Sequence, residues 1–209
     1  MTTPGEAWAQ LAAGNTRFIE GGPAHPRQDV ERREELADGQ FPKAALFGCS
    51  DSRLAAEIIF DQGLGDLFVI RNAGQISSDS VLGSLEYAVA VLNVPLIVVL
   101  GHDSCGAVGA AITAQGPDAP ALPAHVKQIV QHIAPAVRRV AMDAGISEHP
   151  EQADAMAVGR EHLRDTIGEL LTGSELISER IAAGTLAIVG ANYRLLEGRA
   201  EPDVVVGTL

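Results

Sequence analysis

Leu96-Ile97-Val98-Val99-Leu100-Gly101-His102-Asp103-Ser104-Cys105 holds a fold signal in its first half and a chemical one in its second. Five consecutive apolar residues ending at Gly101-His102 read as a strand buried on both faces. The pattern recurs upstream in Ala44-Ala45-Leu46-Phe47, which ends at Gly48-Cys49, and in Leu67-Phe68-Val69-Ile70, which ends at Arg71-Asn72-Ala73-Gly74. It recurs downstream in Leu186-Ala187-Ile188-Val189. The segments between read as helices. Ser80 to Leu92 puts Val81, Leu85, Ala88, Val89 and Leu92 on one face, and Cys105 to Ile112 is rich in small residues suited to close packing. Ala124 to Met142 and Ala153 to Leu171 are longer and amphipathic. Continuous apolar strands alternating with helices predict an α/β fold of three α-β-α layers around a mostly parallel four-stranded sheet. Its expected order is 2-1-3-4, and Gly198 marks a terminal hairpin that adds a short extra edge strand.

The chain has 209 residues, which fits a single domain over 1–209. Hydrophobic residues make up 46% and aromatics 4%, so the core is expected to be aliphatic and rich in alanine. Thr3-Pro4-Gly5-Glu6 predicts a helix start: Thr as N-cap, Pro in the first turn, Glu three residues after the cap. Trp8, Leu11 and Phe18 follow near helical spacing, and Gly21-Gly22-Pro23 stops the segment. Arg27 to Ala37 is highly charged with few apolar anchors, so residues 1–38 are expected to form a helical arm that leans on a partner subunit. A net charge of −12 argues against nucleic acid and anionic membrane as partners. No apolar run approaches a membrane span, and Met1 to Glu6 lacks the basic and apolar regions of a leader, so a cytoplasmic location is expected.

The chain has two cysteines, Cys49 and Cys105. Cys49 opens Cys49-Ser50-Asp51-Ser52-Arg53, and Cys105 closes His102-Asp103-Ser104-Cys105. In an open α/β sheet, ligands collect at the carboxyl ends of the strands, where Cys49 and His102 both sit. Two sulfurs and one imidazole would give Zn²⁺ three ligands and an open fourth position, the catalytic pattern. Asp51 could accept a hydrogen bond from a metal-bound hydroxide, and a bidentate pair with Arg53 would keep it off the metal. If that pair breaks, Asp51 becomes the fourth ligand of a closed state. His25, His125, His132, His149 and His162 read as ordinary surface histidines.

Together these blocks, with Arg71-Asn72-Ala73-Gly74 and Gly101 to Gly106, resemble the β-class carbonic anhydrases from about Trp8 to about Arg194. The resemblance implies reversible hydration of CO2 to bicarbonate on one Zn²⁺ held by Cys49, His102 and Cys105, with Asp51 and Arg53 as the catalytic dyad. By the same resemblance Gln40 binds substrate oxygen, Phe68, Ala73 and Tyr87 line the CO2 pocket, and the Gly106 N–H contacts a bound anion. It also implies a homodimer or a dimer of dimers, with the glutamine and some aromatics supplied across the interface. Some bacterial members carry a tryptophan three residues before the first zinc cysteine as part of a noncatalytic bicarbonate site. Arg71 and Tyr193 match other residues of that site, but Leu46 stands in the tryptophan's place. Two further readings fit the same residues: a hydrolase of carbonyl sulfide or carbon disulfide, and a noncatalytic zinc protein with Asp51 permanently ligated.

Overall fold

The computed structural model describes residues 2–209, built on one five-stranded sheet in the order β2-β1-β3-β4-β5. The strands are β1 (Ala44–Cys49), β2 (Leu67–Asn72), β3 (Leu96–His102), β4 (Ala187–Arg194) and β5 (Arg199–Val206). The first four run parallel in the order the sequence predicts, and β5 pairs antiparallel with β4. The added edge strand is not short: it spans eight residues, as many as β4. Its hairpin passes through Gly198 at φ +68°, a left-handed conformation that favours glycine. Pro202 lies beside a register shift on this edge, where a missing backbone donor is tolerated.

All residues of β1 and β3 are buried, as the unbroken apolar runs require. Strand alternation sorts them between two cores. Leu46, Val98, Leu100 and Val189 face one layer, made by α1 (Pro4–Ile19) and α3 (Ala56–Ile59). Ala45, Phe47, Ile97, Val99 and Ile188 face the other, made by α4 (Asp79–Ala90), α7 (Ala155–Gly173) and α8 (Glu175–Ala182). A third cluster joins α5 (Gly106–Thr113) to α6 (Ala124–Asp143). The short α3 and α8 have no counterpart in the sequence reading.

Helix α1 begins as expected: Thr3 Oγ1 accepts from the Glu6 N–H at 3.2 Å, and the Thr3 N–H donates to Glu6 at 2.8 Å. Ala7 and Leu11 of α1 enter the core of their own chain. Asn15, buried, donates to the carbonyls of Ile59 (3.0 Å) and Gly198 (2.8 Å) and accepts from the Ala200 N–H (2.9 Å). One side chain thus ties α1 to α3 and to the β4–β5 hairpin. Gly14 makes the same approach possible. A Cβ there would lie 1.8 Å from the Phe60 carbonyl oxygen, a backbone atom that cannot rotate away. Gly14→Ala is therefore expected to destabilise by roughly 1–3 kcal/mol through overpacking, although alanine is the better helix former. Gly168→Ala on α7, where a Cβ meets nothing within 4 Å, is the control and should gain up to about 1 kcal/mol. Urea unfolding of both variants checks the contrast; equal effects would refute it.

Two buried carboxylates fasten the segment after α1. Asp61 accepts from Arg17 Nε (2.6 Å) and from the N–H groups of Ala24 and His25 (2.9 Å each). Asp66 pairs with Arg27 and, at 3.5 Å, with Lys43. Helix α2 (Val30–Glu35), by contrast, buries none of its side chains. Among the described residues no helix is long and apolar enough to cross a membrane.

Candidate metal centre

The parallel register sets Gly48 opposite Leu100, so the carboxyl ends of β1 and β3 lie side by side. Cys49 is the last residue of β1, His102 the last of β3, and Cys105 the N-cap of α5. One ligand atom from each lies within 4.8 Å of the others. The edge of a tetrahedral Zn²⁺ site with such ligands is roughly 3.5–4 Å, so small side-chain rotations complete the fit.

The donors are also prepared chemically. His102 Nδ1 sits 2.8 Å from the Asp103 carbonyl, which fixes Nδ1 as the protonated nitrogen. Its Nε2 is buried with no partner among the described residues, an orphaned lone pair beside two thiols. Both cysteines are free thiols. The two sulfurs lie close together, and the neighbouring Cys105 thiol lowers the Cys49 pKa while the Cys49 thiolate raises that of Cys105. Two adjacent thiols do not readily ionise together, and a divalent cation between them lets both do so. Two soft sulfurs and a neutral imidazole suit Zn²⁺.

Asp51 is not a member of this cluster. Its carboxylate receives Arg53 Nε at 2.8 Å and Nη2 at 2.7 Å, a bidentate fork, and the Arg53 backbone N–H at 3.0 Å. The hydrogen bonds from Arg53 hold the Asp51 carboxyl well below the usual carboxylate range. Arg53 Nη2 also reaches the Ser104 carbonyl at 3.2 Å, tying the pair to the loop that carries Cys105. Arg71, at the end of β2, donates to the carbonyls of Cys49 (2.9 Å) and Asp51 (2.6 Å). The sequence reading did not foresee this clamp on the loop between sulfur and carboxylate. Leu46 is buried in the core cluster that includes Ala7 and Leu11 of α1.

The remaining predicted residues surround the cluster unevenly. Gly106 is the exposed first residue of α5, with nothing within 4 Å of where a Cβ would sit. Ala73 is exposed beside Gly74, whose N–H donates to Cys49 Sγ at 3.4 Å. Phe68 and Tyr87 pack on each other with ring centroids 6.0 Å apart, Tyr87 being 45% exposed. Gln40 is exposed and has no hydrogen bond among the described residues.

One expectation is overturned. His162 is not on the surface: it is 5% exposed, because it lies on the face of α7 that packs over the turn after β2. His25, His125, His132 and His149 are exposed as expected.

The sequence profile of the family described as "Carbonic anhydrase" matches residues 44–200. Carbonic anhydrase 2 of Mycobacterium tuberculosis is 53% identical over 199 residues, covering 95% of this chain and 92% of that protein. The carbonic anhydrase of Mycolicibacterium smegmatis is 48% identical over 201 residues, covering 96% and 93%. Among solved structures, one of two tetrameric β-carbonic anhydrases from the ascomycete Sordaria macrospora superposes with a TM-score of 0.71 at 26% identity, covering 96% of this chain and 99% of that one.

Proposed function

The chain belongs to the β-class carbonic anhydrases, and from that premise we propose that it hydrates CO2 reversibly on one Zn²⁺ held by Cys49, His102 and Cys105. The observation that carries the proposal is an open three-donor cluster beside a carboxylate already engaged elsewhere. When bound, Zn²⁺ supplies Lewis acidity that makes water a nucleophile near neutral pH. Two thiolate ligands blunt that acidity, so positioning by neighbouring groups matters more. Asp51, ionised throughout the neutral range, accepts the hydrogen bond that turns the nucleophile's lone pair toward substrate. Arg53 occupies both carboxylate oxygens and so keeps Asp51 from closing the ligand set. Arg71 holds the Cys49 and Asp51 carbonyls, which fixes the distance between ligand and dyad.

For the substrate, we assign Phe68, Ala73 and Tyr87 to an apolar slot and the Gly106 N–H, at a helix N-terminus, to the anionic product. The exposure of Gln40, Tyr87 and α2 in the single chain supports a site completed by a second copy, with α2 leaning on the partner. The tetrameric Sordaria relatives support a dimer of dimers. Stopped-flow CO2 hydration by zinc-loaded and zinc-stripped protein tests the reading. Zinc-dependent acceleration between about pH 7 and 9 is expected from the metal-activated nucleophile, and its absence refutes the function. Sulfide release from carbonyl sulfide far exceeding CO2 turnover would reassign the substrate.

A further inference from the structure

The buried His162 side chain makes one hydrogen bond, from Nε2 to the Gly74 carbonyl at 2.7 Å, across 88 residues of sequence. Four residues on, Thr166 Oγ1 donates to the Gln75 carbonyl at 3.3 Å as well as to the His162 carbonyl. Both bonds end on the turn Ala73–Gln75, where two successive residues are left-handed: Gly74 at φ +78° and Gln75 at φ +47°. For a buried glutamine this conformation is sparsely populated and persists only where surrounding contacts enforce it. Those contacts come from three sides. Asn72 closes the turn with Ile76 at 2.7 and 2.9 Å, and Ala107 and Ile133 leave no room for a Cβ at Gly74. The third side is α7.

The consequence lies on the other end of the same glycine. The Gly74 N–H donates to Cys49 Sγ. An N–H bond to a ligand sulfur withdraws electron density from it and fixes its direction, as outer partners of metal ligands do generally. The imidazole is an expensive way to fill this space: its Nδ1 is buried with no partner among the described residues, a penalty an aliphatic side chain would avoid. Burial keeps the ring neutral, the form in which Nε2–H donates while Nδ1 remains a bare acceptor.

We propose that His162 is a positioning residue for the metal centre: through the Gly74 carbonyl it locks the strained Ala73–Gln75 turn so that the Gly74 N–H stays aimed at the Cys49 sulfur. The inference rests on the metal-site reading above but not on the reaction assigned to it. The bond at Gly74 requires a donor at the position of Nε2. His162→Gln can supply one from its carboxamide; His162→Met fills the space without a donor.

Two readouts on full-length protein decide the matter. Zinc affinity is measured by competition with a chromophoric chelator, and the sulfur-to-metal charge-transfer band is recorded after Co²⁺ substitution. His162→Met is expected to bind zinc about 10–100-fold more weakly, the usual cost of losing an outer partner. Its Co²⁺ band should move to longer wavelength, because a sulfur without its N–H donor gives up electrons more readily. His162→Gln should restore both toward the parent. Should the Met variant fail to fold, His162→Asn, polar but too short to reach Gly74, takes its place with the same expectation. A folded Met or Asn variant with parental zinc affinity and an unshifted band overturns the proposal, as does a Gln variant no better than Met. Normal behaviour here together with failed CO2 hydration would refute the reaction alone.

Discussion

Cys105→Ala protein, dialysed after purification, is expected to retain far less than one zinc per chain. Apparent zinc binding at four-ligand protein sites is about 10–16 kcal/mol, roughly 3 kcal/mol per ligand, so removing one thiolate weakens binding on the order of 10²–10³-fold. Cys105 is the ligand least replaceable by a neighbour. It sits at the N-terminus of α5, where the helix dipole favours negative charge, and Asp51 is engaged by Arg53. The fold should survive, because Cys105 lies at the margin of the sheet core and is only partly buried. Elemental analysis alongside circular dichroism checks both halves. Near-stoichiometric zinc in a folded variant would remove Cys105 from the ligand set.

Asp51→Asn separates metal binding from turnover. The variant should keep its zinc and lose about 10²–10³-fold in turnover, within the range of a positioned acid–base group. An amide has one acceptor oxygen where the carboxylate has two, and its NH2 faces the Arg53 donors that now satisfy both. The hydrogen bond that orients the nucleophile and the fork that restrains the side chain are then lost together. The sign of the pH effect follows from the lowered pKa of Asp51: a carboxyl held below its ordinary value loses its charge only as pH falls through that lower value. Asp51 therefore stays ionised across neutral pH, and any fall in activity between about pH 9 and 6 has another origin. Stopped-flow turnover at matched zinc content is the measurement. Parental activity would strip Asp51 of its assigned role.

The sheet was legible because β1 and β3 are covered on both faces, which leaves unbroken apolar runs that few other arrangements produce. β5 was underestimated for the opposite reason. It is an edge strand containing Arg199, Glu201, Pro202 and Asp203, and only Val204, Val205 and Val206 look like strand. At the site, the three donors and the Asp51–Arg53 pair lie within two short blocks, so local spacing suggested them. The contacts that brace those blocks did not show, since Arg71, read in the sequence only for its resemblance, and His162 act through backbone carbonyls far away in sequence. His162 was disguised by its charged neighbours Glu161, which pairs with Arg139 of α6, and Arg164, which is exposed. Its own face of α7 reads Val158, His162, Leu163, Thr166, Ile167, Leu170, all buried. A histidine and a threonine one turn apart on an otherwise aliphatic stripe were the signal available.

Strand order also dictates when the centre can mature. Cys49 and His102 end adjacent strands but stand 53 positions apart, because β2 and α4 are laid to the outer side before β3 returns to β1. Closing so long an excursion is entropically slow, and Cys49 cannot join the local pair His102 and Cys105 until it is done. The complete donor set thus follows assembly of the sheet, and cells starved of zinc should accumulate finished but empty molecules that are rescued later without renewed synthesis.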